Sequence, residues 1–436
     1  MSGIEISMLA IVLMLALIYL GMHVGVALIL ISFGCVWLMR DIEIANRMIA
    51  AAVNDSISDY LYGVVPLFVL MGMFVSVCGV GRDTFDVAGW LLRRLRGGLG
   101  MATVASNAAF AAITGVSIAS AAVFTKIAVP EMMRHGYTAR FSVGVVAASS
   151  VLGMLIPPSL LMIVYGVLAE TSIGSLFIAG IIPGLLLAAL FCGLIMIMAR
   201  FQPGFVGTEV GNASSEARET LKSAMKKAAP IVALIALVLG GLYGGLFTPI
   251  EAGAVGAFGA LVLSLIRRRL TPGKFWRVLV ETGHVSVAVL FLIMAASLYS
   301  RMLTMTGLPG AIAGFMSDLG MGEYAFLLAY IALVLVLGCI LDSVSILLIV
   351  VPIVVPIAQA FGMDLIWLGI ITIVAVEVGL ITPPFGISVF TVKATLDDKT
   401  IGIREIFRGV MPFVACMLFA LALLVAFPQL STALVK

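Results

Sequence analysis

The chain has 436 residues, 62% of them hydrophobic and 11% charged, with a formal net charge of +3 and a mean hydropathy of +1.23. A soluble domain is about half apolar and about 25% charged, so a water-soluble globular enzyme is excluded. Transmembrane β-barrels need alternating patterns, which Ile231–Leu239 and Tyr330–Leu337 lack, leaving a polytopic all-α membrane protein.

Apolar runs read as helical fall at 6–20, 22–39, 61–80, 98–112, 117–130, 141–156, 159–169 and 177–199. The start, Met1-Ser-Gly-Ile-Glu5, has no basic region, so the first run is expected to be a permanent span and not a cleaved leader. Two amphipathic stretches, Asp41–Tyr60 and Arg82–Arg96, are expected to lie along the membrane surface. A polar linker, Phe201–Lys227, precedes a second series at 229–247, 250–266, 279–300, 324–338, 343–356, 365–381, 385–392 and 410–430. Cys35, Cys78, Cys192, Cys339 and Cys416 lie inside apolar runs without paired spacing and read as core hydrophobes. His23, His135 and His284 are scattered and form no metal-ligand pattern. With no catalytic triad and no phosphate loop, neither an enzyme nor a nucleic-acid binder is expected.

The two series repeat one another. Val129-Pro130 followed by Gly136 recurs as Val355-Pro356 followed by Gly362, and Gly153-Met-Leu-Ile-Pro157-Pro158 recurs as Gly379-Leu-Ile-Thr-Pro383-Pro384, both 226 positions on. A weaker echo pairs Leu67–Met71 with Leu290–Met294. This divides the chain into a first repeat, 1–200, with scaffold helices, hairpin 97–130 and broken helix 141–169. A cytoplasmic linker, 201–227, follows, and then a second repeat, 228–436, with its own scaffold helices, hairpin 323–356 and broken helix 365–392.

Cations accumulate in cytoplasmic loops and so orient the copies. Arg93, Arg94 and Arg96 precede the first hairpin, and Arg134 and Arg140 follow it, so both of its flanks face inward. The second hairpin is flanked by Ser317-Asp318 and Gln359–Asp364, without cations, and faces outward. Beyond the Pro-Pro motifs the bias reverses: Glu170–Leu176 has no cation, whereas Lys393, Lys399, Arg404 and Arg408 follow the second motif. The repeats are therefore inverted. Arg200, Arg218, Lys222, Lys226, Lys227, Arg267–Arg269, Lys274 and Arg277 also fall inside, and Arg40, Arg47, Arg301 and Lys436 fall outside.

Inverted repeats are the architecture of many secondary transporters, with the site at the repeat interface. The hairpin centres, Ala112–Ser120 and Gly338–Ser345, are small and polar, suited to re-entrant tips buried in protein or lining a cavity. Such tips offer backbone groups and hydroxyls, which a sodium ion and a carboxylate both require. Each Pro-Pro pair breaks its span, exposing carbonyls ahead of the break and a half-helix N-terminus after it. The sodium candidates are Ser117, Gly153, Pro157, Gly338, Gly379, Thr382 and Phe385. The substrate candidates are Thr114, Gly115, Ser117, Pro158, Ser159, Ser343, Ser345 and Pro384. Asp342 and Glu377 occur in the second copy only, opposite Val116 and Val151, and either couple a cation or cap their own elements. Glu251, just after Pro249, is expected near an outer helix end. Lys126 and Arg301 are weaker candidates for neutralising an anion, since each lies near a membrane edge.

Pro130-Glu-Met132 followed by Gly136-Tyr137, Leu152-Gly-Met-Leu-Ile-Pro-Pro-Ser159, Tyr165-Gly166, Ser172-Ile-Gly174, Phe177-Ile-Ala-Gly-Ile-Ile-Pro-Gly184 and Glu377-Val-Gly-Leu-Ile-Thr-Pro-Pro-Phe-Gly386 resemble the large membrane subunit of tripartite ATP-independent periplasmic (TRAP) transporters. The resemblance covers essentially the whole chain, although the first tip reads Thr114-Gly115-Val116-Ser117 where the family often has Ser-Gly-Ser-Ser. It implies a sodium-driven symporter of organic anions (C4-dicarboxylates, sugar acids or related carboxylates) working by an elevator motion in the bacterial inner membrane. Its implied partners are a separate small four-helix membrane subunit and a periplasmic substrate-binding protein, with no cofactor beyond the coupling ion. The alternative is a proton-coupled carboxylate transporter that works without a binding protein and uses Asp342 or Glu377 as the titrating group.

Overall fold

The structure is a computed structural model that describes residues 2–207, 221–318, 320 and 322–435. The middle of the expected linker, with Arg218, and Lys436 lie outside these residues. The described residues form helices joined by short turns, with one isolated bridge between Tyr137 and Gly207. Seven helices are long and apolar enough to cross a membrane among the described residues, and an eighth span results if one bent pair is counted.

In chain order, α1 (Gly3–Tyr19), α2 (Val24–Met39), α3 (Ile42–Ser58) and α4 (Val64–Val77) come first. They are followed by α5 (Val80–Leu92), α6 (Gly98–Thr114), α7 (Ser117–Arg134), α8 (Ala139–Ser150), α9 (Leu152–Leu155), α10 (Leu160–Leu168), α11 (Ile173–Phe201) and the short α12 (Pro203–Val206). After the linker come α13 (Leu221–Ile235), α14 (Gly241–Tyr243), α15 (Pro249–Ile266), α16 (Pro272–Thr306) and α17 (Leu308–Asp318). The last are α18 (Glu323–Gly338), α19 (Ser343–Ala360), α20 (Leu365–Ile381), α21 (Ile387–Thr395), α22 (Ile403–Ala426) and α23 (Gln429–Thr432).

Local chemistry sets many of the boundaries. Ser2 with Glu5, and Thr248 with Glu251, form capping boxes, and the second is followed by Pro249 in the first helical turn. Glu251 is thus occupied at a helix start, as its position after Pro249 suggested. Thr138, Ser159, Ser172 and Asp364 each accept a backbone N–H from the first turn they precede. The run read as 229–247 is α13 continued through a π-turn at Ala236–Gly240. The run read as 279–300 extends at both ends into the 35-residue α16.

The helix order recurs along the chain. α7 and α19 are both 18 residues long, α10 and α21 are both 9, and α7 and α8 start 226 positions before α19 and α20. Two packing groups emerge. In one, α2 packs on α16, α4 packs on α15, and α4 and α16 meet each other. In the other, α6–α11 pack together and against α18–α22.

This second group is held across copies by close contacts. α8 and α22 cross with Gly144 against the Gly409 backbone, and the Arg140 guanidinium donates to Glu405 at 2.7 Å beside the crossing. Phe191 meets Phe413 edge-on with ring centres 5.4 Å apart, and the Tyr165 hydroxyl donates to the Leu365 carbonyl at 2.8 Å. Helices without an apolar driving force between them in lipid associate through such small-residue approaches and polar bonds.

The two amphipathic stretches are helical, but neither is an unattached surface segment. α3 packs on α2 and α16, and Asp55 pairs with Arg301. α5 buries Val80, Gly81, Thr84, Phe85 and Ala88 and lies along α6. Its apolar stripe therefore covers protein, because the small residues of α6 leave a face for it to fill.

Candidate functional site

The Pro-Pro sequences end their helices as expected from proline's missing N–H. α9 stops at Leu155 and α10 restarts at Leu160 with a 43° bend, while α20 stops at Ile381 and α21 restarts at Ile387. Both Pro157-Pro158 and Pro383-Pro384 are cis. The hairpin tips form where the sequence placed them, at Gly115-Val116 between α6 and α7 and at Cys339–Asp342 between α18 and α19.

Each tip rests on the break of its own copy at a glycine. A side chain on Gly153 would press on the Ser117 backbone at 3.1 Å, and one on Gly379 would strike the Gly338 Cα at 2.5 Å. Gly115 is left-handed (φ +63°), and a Cβ there would reach the Pro158 carbonyl oxygen at 2.5 Å. Leu160 donates its N–H to the Gly115 carbonyl at 3.2 Å, so the first tip is bonded directly to the first break.

The short helix after each break packs on the other copy's hairpin: α10 on α19, and α21 on α7. The two tip-and-break pairs are thereby interlocked. α4 supplies a wall, with Gly72 against the Thr114 carbonyl, and α16 borders α10 and α19.

Ser117, Gly153, Gly115 and Pro158 are thus brought together, with Ser159 beside them. Ser159 is fully buried, donates to the Met154 carbonyl and accepts from the Met162 N–H at 3.3 Å. Pro157 lies buried in the same break. The Ser117 hydroxyl is buried and has no partner, whereas the Thr114 hydroxyl donates to the Phe110 carbonyl at 2.9 Å. The second cluster gathers Gly338, Gly379 and Thr382, whose hydroxyl donates to the Val378 carbonyl at 2.6 Å. Ser343 and Ser345 are buried at the start of α19.

Other candidates stand apart from these clusters or are already engaged. Pro383, Pro384 and Phe385 are exposed, Phe385 to 54%. Asp342 caps α19, accepting the Ser345 N–H at 3.1 Å and the Ser345 hydroxyl, so its capping reading describes its geometry. Glu377 is 1% exposed and neither carboxyl oxygen has a partner. Arg301, a candidate for neutralising an anion, is paired with Asp55 on α3. Lys126 is exposed on α7.

Sequence reasoning passed over Asn107, whose side-chain amide donates to Ser149 on α8 at 2.6 Å while its own oxygen stays buried and unpartnered. Ser120, which the sequence reading placed in the first hairpin centre without naming it as a ligand, lies one turn beyond Ser117 with a buried free hydroxyl. An Asn inside the apolar run 98–112 was the available clue. Orphaned buried oxygens of this kind carry a desolvation cost of about 1–3 kcal/mol each unless something binds them. The arrangement therefore supplies buried hydroxyl and amide oxygens and backbone carbonyls beside two broken helices, a donor set suited to a hard cation.

The family model described as "Tripartite ATP-independent periplasmic transporter, DctM component" matches residues 11–430. The chain is 35% identical over 391 residues to the C4-dicarboxylate TRAP transporter large permease protein DctM of Pseudomonas aeruginosa, covering 89% of each. It is 31% identical to the sialic acid TRAP transporter large permease protein SiaM of Vibrio cholerae, covering 95% of each. In fold it is similar to the YdaH transporter of Alcanivorax borkumensis, with a TM-score of 0.61 at 15% identity and 90% of each chain covered.

Proposed function

The chain belongs to the DctM component family of tripartite ATP-independent periplasmic transporters, and from that premise we propose that it imports organic anions by sodium symport through an elevator motion. It is a multi-pass membrane protein and one component of a three-part assembly. The inner-membrane location, a separate four-helix small subunit and a periplasmic binding protein that delivers the anion complete the proposal. The substrate class is a C4-dicarboxylate, a sugar acid or a related carboxylate.

The observation that carries this reading is the pair of interlocked tip-and-break contacts, with the unpartnered Ser117 and Ser120 hydroxyls beside the first. Sodium would take backbone carbonyls and hydroxyls at Ser117, Gly153 and Pro157 in one cluster, and at Gly338, Gly379, Thr382 and Phe385 in the other. The carboxylate would be met by N–H groups and hydroxyls at Thr114, Gly115, Pro158, Ser159, Ser343, Ser345 and Pro384. Half-helix N-termini at α7, α10, α19 and α21 favour that negative charge. In this reading the two copies are inverted, the group containing α6–α11 and α18–α22 is the moving body, and the group containing α2, α4, α15 and α16 is the fixed scaffold.

The test is uptake by proteoliposomes holding this chain with its small subunit, offered binding protein loaded with a C4-dicarboxylate such as succinate or with sialic acid. Replacing sodium at fixed pH is expected to abolish uptake. Uptake that continues unchanged, and needs no binding protein, would instead establish the proton-coupled alternative.

A further inference from the structure

α16 begins Pro272-Gly-Lys274-Phe-Trp276-Arg277-Val-Leu-Val-Glu281. Lys274, Arg277, Val278 and Glu281 are spaced at i, i+3, i+4 and i+7, so they share one face of the helix. That face meets the end of α4 across a cavity of about 160 Å³, which Lys274, Arg277 and Glu281 line together with Ser76 and Val77. We propose that this cavity is a headgroup site for an acidic phospholipid of the cytoplasmic leaflet, its phosphodiester held by Arg277, Lys274 and the Ser76 hydroxyl. The leaflet follows from the inward placement that the cation pattern gives the α15–α16 turn. The binding chemistry does not depend on that placement.

The cavity walls are fixed and its cations are spare. Phe275 stacks on Phe74 of α4 with ring centres 6.1 Å apart, and Val278 beneath is buried. Arg267 is engaged by Asp83, and the Arg269 guanidinium covers Gly79. Lys274 reaches back to the Arg269 carbonyl at 3.4 Å, which occupies one of its three N–H donors. Arg277 has neither an ion pair nor a hydrogen bond among the described residues, although Glu281 stands one turn along the same face. An arginine placed before a glutamate at this spacing is the weaker order for pairing on a helix. Its planar guanidinium is left to take two phosphate oxygens side by side.

Depth and charge agree with such an occupant. Trp276, between the two cations in sequence, is 68% exposed, as suits an aromatic ring at the membrane–water boundary. Side chains on a helix lean toward its N-terminus, which carries Lys274 and Arg277 from the hydrocarbon toward headgroup level. Val77 and Val278 give the lipid's glycerol backbone an apolar wall. Two cations against the Glu281 carboxylate leave one positive charge, which a single phosphodiester balances, and Glu281 can accept the hydroxyls of a glycerol headgroup. Exposed Arg268 adds to the positive field at the mouth. It occupies a left-handed position (φ +52°) just past α15, where glycine is usual. A basic recess between helices at the cytoplasmic side favours a net-negative lipid over a zwitterionic one.

The test is native mass spectrometry of the full chain, delipidated in detergent and then offered phosphatidylglycerol, phosphatidylethanolamine or inorganic phosphate. One phosphatidylglycerol is expected to bind at about tenfold lower concentration than phosphatidylethanolamine requires. Arg277→Gln combined with Lys274→Gln is expected to erase that preference, whereas Arg268→Gln, outside the cavity, keeps it. Ser76→Phe fills the cavity from α4 without removing a charge and is expected to erase the preference as well. Equal binding of the two lipids by the parent chain, or a preference that survives both cavity changes, would overturn the site. Equal loss in Arg268→Gln would reduce it to a general charge effect. Displacement of the lipid by inorganic phosphate would make the occupant a free phosphate and overturn the lipid assignment.

Discussion

The two tip-and-break pairs are built from matched pieces yet finish differently. In the first, Pro157, Pro158 and Ser159 are buried, the tip residues Thr114 and Gly115 are buried, and Leu160 bonds back to Gly115. In the second, Pro383, Pro384 and Phe385 are exposed, Ile340 and Asp342 at the tip are exposed, and no equivalent bond ties tip to break among the described residues. Helix order and Pro-Pro chemistry alone therefore do not set closure. What differs is the wall: α4 presses Gly72 onto the Thr114 carbonyl, and on α11 a Cβ at Gly180 would meet the Leu155 carbonyl at 2.9 Å and one at Gly184 the Ile156 side chain at 2.7 Å. The first break is therefore covered by protein, and the second is left open.

The largest expected effect tests the contact both halves share. Gly379→Val places a methyl-bearing carbon into the Gly338 backbone, and Gly153→Val does the same against Ser117. Misplacing site groups by about 1 Å costs about 100-fold, so sodium-dependent uptake is expected to fall at least that far in each variant while the protein still inserts. Equal loss in both would show that open and closed halves are equally demanding. Retained uptake in Gly379→Val alone would confine the site to the first half.

A second experiment sharpens the difference in exposure. In a background lacking native cysteines, Ile340→Cys is expected to react with a hydrophilic maleimide at least about tenfold faster than Thr114→Cys, as their exposed and buried settings dictate. Impermeant reagents applied from either side also test inversion. Cysteines in 131–140 are expected to label from the cytoplasm, and those in 357–366 from the outside.

A smaller effect separates free from engaged hydroxyls. Ser117→Ala removes an oxygen with no protein partner and is expected to raise the sodium concentration for half-maximal uptake about tenfold, a ~1.4 kcal/mol change. Thr382→Val removes a hydroxyl already bonded to Val378 and is expected to shift it less. The reverse order would place the ion in the second cluster.

The smallest effect concerns Asp342. As a cap, Asp342→Ala is expected to cost about 1 kcal/mol of stability and Asp342→Asn much less, since Asn caps almost as well. Thermal unfolding in detergent measures both. Loss of uptake in the well-folded Asn variant would make the carboxylate a coupling group instead.

Glycine and proline made the breaks and tips readable in the sequence, because their constraints act on the adjacent backbone whatever surrounds them. Pro249 likewise marked a helix end beside Glu251, although the capping box that Glu251 forms with Thr248 emerged only from the structure. The pairing of Arg301 was not readable, because its partner Asp55 lies 246 residues away. The Asn107–Ser149 bond depends on how the hairpin lies on α8, and the unequal closure depends on which walls reach each break. Those are properties of the assembled bundle.

The α8–α22 crossing constrains how the molecule is made. Phe141–Ser150 is buried along its whole length, and Gly144 meets Gly409 backbone to backbone. Translation delivers α22 more than 250 residues after α8. The nascent first half must therefore sit in the bilayer with that face of α8 unfilled, and the crossing can close only after α22 has left the ribosome.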